Sequence, residues 1–255
     1  MSDKISQIEN YFYNNEKNLI HKWDHYFEIY DRHFKKYKGK DVVLLEVGVS
    51  RGGSLQMWSD YFGKGSKFFG IDIDPRCKEF ENENTKIFIG SQSDRKFLGY
   101  VKDNIPPVDI LIDDGGHYMN QQIILFEELF GYVKKNGVYL CEDTHSSYWL
   151  VFGGGYKRRG TFIEYSKNFI DMLNAFHSEQ SKYKINNFTK SVNSIHYYDS
   201  VLVIEKRKRE KPKEVVSGII SFEGNKIENY KPNYKPFFKN KYFQTINKIL
   251  RIFNL

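Results

Sequence analysis

Cysteine is scarce in this chain. Only Cys77 and Cys141 occur in 255 residues. Neither belongs to a CxxC pair or to a metal-ligand spacing, so a disulfide framework is excluded and a reducing, cytoplasmic setting is expected. Long apolar runs are missing too. The longest are too short to span a bilayer. No charged start is followed by an apolar stretch, so no signal peptide is expected. No internal repeat is present. What the chain does have is 40% hydrophobic residues in regular runs, which excludes disorder. Its length suits one α/β domain with additions and is enough for a sizeable core.

The formal net charge is +7. Much of it sits near the end, in Lys206, Arg207, Lys208, Arg209 and Lys211 and in the lysines from Lys231 onward. The first 205 residues are closer to balance, so no nucleic-acid partner is expected. Part of the Lys, Asn, Tyr, Phe and Ile content is what an A/T-rich genome encodes cheaply.

Residues 1–40 carry apolar residues at helical spacing, with Ile5, Ile8, Tyr11 and Phe12 and again Ile20, Trp23, Tyr26 and Phe27. The spacing predicts a helical segment, a lid or a dimer interface, closed by Gly39. From Asp41 the pattern alternates. Strands are predicted at 42–49, 68–73, 86–89, 108–112, 138–141, 195–198 and 201–204. Helices are predicted at 54–61, 94–102, 120–133 and 162–176. Asn136–Gly137 ends the third and Asp199–Ser200 turns the last strand pair. Such alternation means a mostly parallel sheet covered on both faces, with one late antiparallel strand. The predicted domain is 41–205. Residues 206–255 form a basic, aromatic appendage.

Glu46-Val47-Gly48-Val49-Ser50-Arg51-Gly52-Gly53-Ser54 ends the first strand and opens a helix. Glycines let the backbone turn sharply beside a ligand, and the helix start favours an anionic group. Ser50 replaces the second glycine of a G-x-G-x-x-G dinucleotide loop, which argues against NAD. The second strand ends at Asp72, placed to bond ribose hydroxyls; Asp74 is the rival. Gln92 after the third strand can offer donor and acceptor to an adenine edge, while Ser93 or Asp94 can cap the next helix.

The sharpest signal is a pair of clusters. Asp113-Asp114-Gly115-Gly116-His117 and Glu142-Asp143-Thr144-His145 each end a predicted parallel strand. Ligands bind outside the carboxyl ends of such strands, so the two clusters should meet in one site. Crowded carboxylates need a cation or protons, and hard oxygens suit Mg²⁺, Mn²⁺ or Ca²⁺. His117 is placed to take a proton; His145 stands second.

The runs LLEVGVSRGGSLQMW, FFGIDIDP, GSQSD, ILIDDGGH and FEELFGYVKKNGVYLCEDTHSSYW together resemble the macrocin and mycinamicin sugar O-methyltransferases. They are also similar to the related cephalosporin hydroxylase-type proteins. The resemblance covers roughly residues 41–205. It implies a Rossmann-like class I methyltransferase with a seven-stranded, mostly parallel sheet. It implies S-adenosylmethionine, contacted by Glu46, Gly48, Asp72, Gln92 and Asp113, with Ser50, Gly53, Ser54, Ser93 and Asp94 in the same loops. It implies Mg²⁺ or Mn²⁺ on Asp114, Glu142 and Asp143, and His117 as general base. The expected reaction is O-methylation of a sugar hydroxyl.

Gly153-Gly154-Gly155 precedes Lys157, Arg158 and Arg159. Such a loop can close over a diphosphate, which points to a nucleotide-linked sugar for capsule or lipopolysaccharide synthesis; a solvated basic loop is the plain alternative. Tyr148 and Trp149 are placed to line the acceptor pocket, or to pack in the core. A homo-oligomer is expected. The aromatic and lysine residues from Phe237 to Phe253 are compatible with weak docking on the inner membrane surface, or with packing on the domain. Two other functions fit less of the sequence: methylation of a catechol-like or other vicinal-oxygen molecule, and a cofactor-binding scaffold without catalysis. Base-amine methylation lacks its Asn-Pro-Pro-aromatic motif.

Overall fold

A computed structural model describes residues 5–180 and 183–219. Residues up to Pro212 form one compact unit, and Lys213–Leu255 a second. Residues 213–219 of the second unit carry no helix or strand. The aromatic stretch from Phe237 to Phe253, read as a candidate membrane contact, lies outside the described residues. Among the described residues no helix is long and apolar enough to cross a membrane.

Seven strands form one sheet: β1 Val43–Val47, β2 Lys67–Asp72, β3 Thr85–Ile89, β4 Val108–Asp113, β5 Val133–Cys141, β6 Val192–Tyr197 and β7 Leu202–Lys206. Their order is β3-β2-β1-β4-β5-β7-β6. β7 runs antiparallel to both neighbours, and the other pairings are parallel. Strand order reverses between β1 and β4, so a crevice opens at their carboxyl ends. The class I methyltransferase sheet with one antiparallel strand is therefore present.

The alternation of side chains along each strand explains the two cores. Leu44, Ile110, Ile112, Val138 and Leu140 face one layer, and Leu45, Val47, Leu111, Tyr139 and Cys141 the other. The first layer is covered by α1 Gln7–Tyr13, α2 Tyr26–Phe34 and α3 Gly53–Phe62, whose Tyr30, Phe34 and Trp58 are fully buried. Each such aromatic contributes about 1.5–3 kcal/mol by burial. The second layer is covered by α4 Arg95–Asn104, α5 Met119–Leu129, α6 Phe162–Ser166 and α7 Asn168–Asn174.

Three expectations need correcting. Residues 14–25 are an irregular strap between α1 and α2, not helix. The helix expected to run to Val133 stops at Leu129, and β5 already begins at Val133, its pairing with β4 shifting register between Val133 and Val138, across Asn136–Gly137. The long helix at 162–176 is broken at Lys167. Ile8 of α1 and Tyr26, Phe27, Ile29, Tyr30 and Phe34 of α2 pack into the first core layer.

One ion-pair group ties α2 to β7. Glu205 accepts hydrogen bonds from His33 Nδ1 at 3.1 Å and Lys36 Nζ at 3.2 Å. The His33 hydrogen bond, helped by Lys36 against burial, holds the Glu205 carboxyl down to about 2, from an ordinary 4.5. A depressed carboxyl contributes stability fully above its unfolded value and loses it as pH falls through the folded one. Glu205→Gln is expected to lower the melting temperature at neutral pH. It should also flatten the loss between about pH 4.5 and 2; an unchanged acid limb in thermal melts would refute the tie.

Candidate active site

The loop after β1 is shaped for close approach. Gly48 has φ +96°, and a Cβ there would lie 1.9 Å from the Asp114 carbonyl oxygen. The loops leaving β1 and β4 can touch only because residue 48 has no side chain. The Ser50 N–H donates to Asp72 Oδ2 at 2.8 Å, and the Asp74 N–H donates to Oδ1 at 2.9 Å. Asp72 thus fixes the loop. With Gly48, Ser50, Gly90, Gln92 and Gly115 it lines a cleft of about 360 Å³. That is within the usual range of small-molecule sites.

Some residues expected at this cleft support it from behind, and Gln92 braces its floor while also lining it. Glu46 is fully buried under α3 and accepts from Ser54 Oγ at 2.7 Å and Trp58 Nε1 at 3.1 Å. Those donors are four residues apart, one helix turn, so Glu46 anchors the helix that starts at Gly53. Burial pushes its carboxyl up to about 7, although Lys22 and Ser54 pull it down. Gln92 spends both ends of its amide, donating to Asp113 Oδ1 at 3.1 Å and accepting from the Gly116 N–H at 2.8 Å. Asp113 is buried beside Tyr139 and Cys141, and burial pushes it up to about 7. Asp94 caps α4 by accepting from the N–H groups of Lys96 and Phe97, and the Ser93 hydroxyl meets Ser91 Oγ at 2.9 Å.

The two acidic clusters do meet. His117 Nε2 lies 3.4 Å from Asp143 Oδ2 and 4.0 Å from Asp114 Oδ1. His117 has φ +57° and Asp143 φ +52°. Left-handed backbone at non-glycine residues costs of order 1–3 kcal/mol and persists where the surroundings impose it, often at functional sites. A second cavity of about 230 Å³ is lined by Ile20, His21, Lys22, Ser50, Asp114, His117 and Asp143, and it shares Gly48, Ser50 and Asp114 with the cleft.

The N-terminal region supplies residues that the motifs did not reveal. Lys22 Nζ lies 2.5 Å from Asp114 Oδ2 and 2.8 Å from Glu142 Oε2, with its side chain only 3% exposed. Burial works against its charge, but Asp114, Glu142 and Glu46 together hold its pKa well above the usual lysine range. Tyr30 donates its hydroxyl to Glu142 Oε1 at 2.7 Å, and Tyr26 to Asp143 Oδ1 at 2.6 Å. Burial and the Asp114 charge push Glu142 up to about 8, with Lys22 opposing. Tyr26 and Tyr30 sit four apart on one helix face. Two phenols on an otherwise apolar face need buried partners, and that was the available signal.

The donor set suits a hard divalent ion. One oxygen each of Asp114 and Asp143 and one nitrogen of His117 lie within 4.8 Å of one another. His117 Nδ1 is buried without a hydrogen-bond partner. Asp114 and Glu142 share the single Lys22 ammonium, and the Asp143 charge bears on Asp114 as well. Carboxylate-rich sites of this kind take Mg²⁺ or Mn²⁺. Each Glu142 oxygen already accepts one hydrogen bond, from Lys22 and from Tyr30, so an ion at Glu142 shares its oxygens with those donors and sits beside the Lys22 ammonium.

Aromatic rings border the acids. His145 packs edge-on between Trp23 (5.8 Å) and Trp149 (4.5 Å), and its Nδ1 bonds Ser200 Oγ. Tyr148 and Trp149 are about half exposed rather than core. The Arg158 guanidinium donates to the Gly154 carbonyl at 3.2 Å, Lys157 lies over the Tyr156 ring, and Arg159 is exposed.

No family model matches the chain. Over 191 residues it is 31% identical to the 8-demethyl-8-alpha-L-rhamnosyl tetracenomycin-C 2'-O-methyltransferase of Streptomyces olivaceus, covering 71% of this chain and 50% of that protein. It is 32% identical to the demethylmacrocin O-methyltransferase of Streptomyces fradiae over 202 residues, 74% of this chain and 51% of that one. The chain thus spans about half the length of the curated relatives it matches. Among solved structures it matches the MycE methyltransferase of the mycinamycin pathway in complex with Mg and SAH, with TM-score 0.70 and 28% identity, over 80% of this chain and 54% of that one. It also matches MycE with Mg, SAH and mycinamycin VI, with TM-score 0.71 and 26% identity, over 88% and 57%. The chain is a homologue of the macrocin- and mycinamicin-type sugar O-methyltransferases and has the class I methyltransferase fold.

Proposed function

We propose that this chain transfers a methyl group from S-adenosylmethionine to a sugar hydroxyl of a small glycoside, with Mg²⁺ or Mn²⁺ held by Asp114, Glu142 and Asp143. The observation that carries the reading is the shared wall between the two cavities. Gly48, Ser50 and Asp114 border both the cleft of Asp72 and the cavity of His117 and Asp143. A methyl donor in one and a hydroxyl in the other would meet across that wall. The relatives named for sugar O-methylation, and MycE with Mg and SAH, support the same assignment.

Bound to these carboxylates, a divalent ion would supply Lewis acidity that lowers the pKa of an acceptor hydroxyl. The residues of the chain do the rest. His117 Nε2 takes the hydroxyl proton, and Asp143 at 3.4 Å stabilises the imidazolium that results. Asp72 uses one lone pair per oxygen on backbone N–H groups, which leaves acceptor sites for ribose hydroxyls. The N-terminus of α3 favours the methionine carboxylate. Fixing donor and acceptor in line supplies much of the acceleration. The direct test incubates the protein with S-adenosylmethionine, Mg²⁺ and rhamnosyl and deoxysugar glycosides, and locates any added methyl by mass-spectrometric fragmentation. A methyl on a sugar oxygen supports the reading; methylation of aromatic diols alone would replace it.

The narrower reading, a nucleotide-activated sugar for capsule or lipopolysaccharide, is supported by the cations of Lys157, Arg158 and Arg159 alone. Reversing charge at Arg158 and Arg159 is expected to raise the acceptor Michaelis constant about tenfold or more for a diphosphate-linked sugar, since each lost charge-assisted contact is worth about 1.5–3 kcal/mol. An unchanged constant would remove the diphosphate.

A further inference from the structure

We propose that Lys22 competes with the divalent ion for the carboxylate oxygens of Asp114 and Glu142, so that the ion enters by displacing the lysine and the strap that carries it. The inference rests on the metal assignment above. Lys22 is within hydrogen-bond distance of Asp114 Oδ2 at 2.5 Å and Glu142 Oε2 at 2.8 Å, and almost no solvent reaches it. An ammonium there uses lone pairs that an ion would need, and its charge repels a dication in a poorly screened setting. Tyr30 takes a lone pair of the other Glu142 oxygen, so an ion binding Glu142 while Lys22 stays would have to sit beside the ammonium.

The strap is built to leave. Residues 14–25 have no regular secondary structure between α1 and α2. Their backbone rests on Gly53, where a Cβ would lie 2.4 Å from the Leu19 carbonyl oxygen. The Asn18 N–H donates to Gln56 Oε1 at a long 3.3 Å. Leu19 and Trp23 are 68% and 51% exposed, and Ile20 is the strap residue in the core. Apart from Ile20 and the Lys22 ion pairs the strap has few buried contacts, so little else opposes its opening once an ion replaces the ammonium. Leu19 to Lys22 also wall the cavity of His117 and Asp143, so withdrawal of Lys22 would widen the space for the acceptor as the ion arrives.

Two measurements on the full chain test this. The first is amine acetylation of the wild type, read at Lys22 by mass spectrometry, with and without Mn²⁺. The second is Mn²⁺ affinity by electron paramagnetic resonance for wild type, Lys22→Met and Lys22→Arg, with S-adenosylhomocysteine binding as the folding control. Labelling of Lys22 should rise with Mn²⁺. Lys22→Met should bind Mn²⁺ about tenfold tighter, as when a competitor fills the site nine-tenths of the time, while Lys22→Arg stays near wild type. Lys22 still protected at saturating Mn²⁺, or Lys22→Met no tighter than wild type, overturns the competition and leaves the metal assignment standing. If wild type and Lys22→Met bind S-adenosylhomocysteine but neither binds Mn²⁺, the metal assignment falls and the competition with it.

Discussion

His117→Ala is expected to lower turnover by about 10²- to 10⁴-fold, the usual contribution of a positioned general base. Affinity for S-adenosylhomocysteine should not change, because His117 lines the acid cavity and not the cleft of Asp72. Two comparisons make the result readable. His117 has φ +57°, so alanine adds backbone strain; asparagine tolerates that conformation well. His117→Asn should therefore lose as much turnover as His117→Ala while melting nearer to wild type. His145→Ala should lose far less, since His145 is tied to Ser200 and packed against Trp149, 4.0 Å from Asp143. Turnover within a few-fold of wild type in His117→Asn would remove the base assignment.

Asp143→Asn carries the second large effect. Asn keeps the shape and accepts φ +52°. It also keeps an acceptor for the Tyr26 hydroxyl, now at 2.6 Å. What it loses is one negative charge facing His117 and the proposed ion. Mn²⁺ affinity should fall at least about tenfold, and turnover at saturating metal by about 10²-fold or more, since a Lewis-acid contact is worth several kcal/mol. Full recovery of turnover at high metal would show that Asp143 serves binding alone. Unchanged Mn²⁺ affinity would take Asp143 out of the ligand set.

The parts legible in the sequence were those with strong local signals. Strands β1, β2 and β4 are buried on both faces and read as short β-branched and aromatic runs ending in Glu46, Asp72 and Asp113–Asp114. The Gly48 loop and the two acidic clusters followed from strand ends alone. β5 was read too short because Lys134-Lys135-Asn136 is exposed, lies where the pairing with β4 shifts register, and lacks the apolar run that marks a strand. Lys22 could not be found this way. Its partners are 92 and 120 residues away in sequence, and a lysine in a polar strap reads as solvated. Glu46 was assigned to the ligand from chain position. Whether a carboxylate faces a crevice or a helix depends on the alternation of its strand, and β1 turns Glu46 toward Ser54 and Trp58.

The central claim is that this site transfers a methyl group and needs both a sugar hydroxyl and a divalent ion to do so. Release of S-adenosylhomocysteine from S-adenosylmethionine, measured with and without a panel of glycosides and with Mg²⁺ or EDTA, tests it most directly. The account predicts release only when a glycoside and the ion are both present, abolished by EDTA and restored by excess Mg²⁺. Acceptor-dependent release that persists in EDTA would contradict the account, as would no binding of S-adenosylhomocysteine at all.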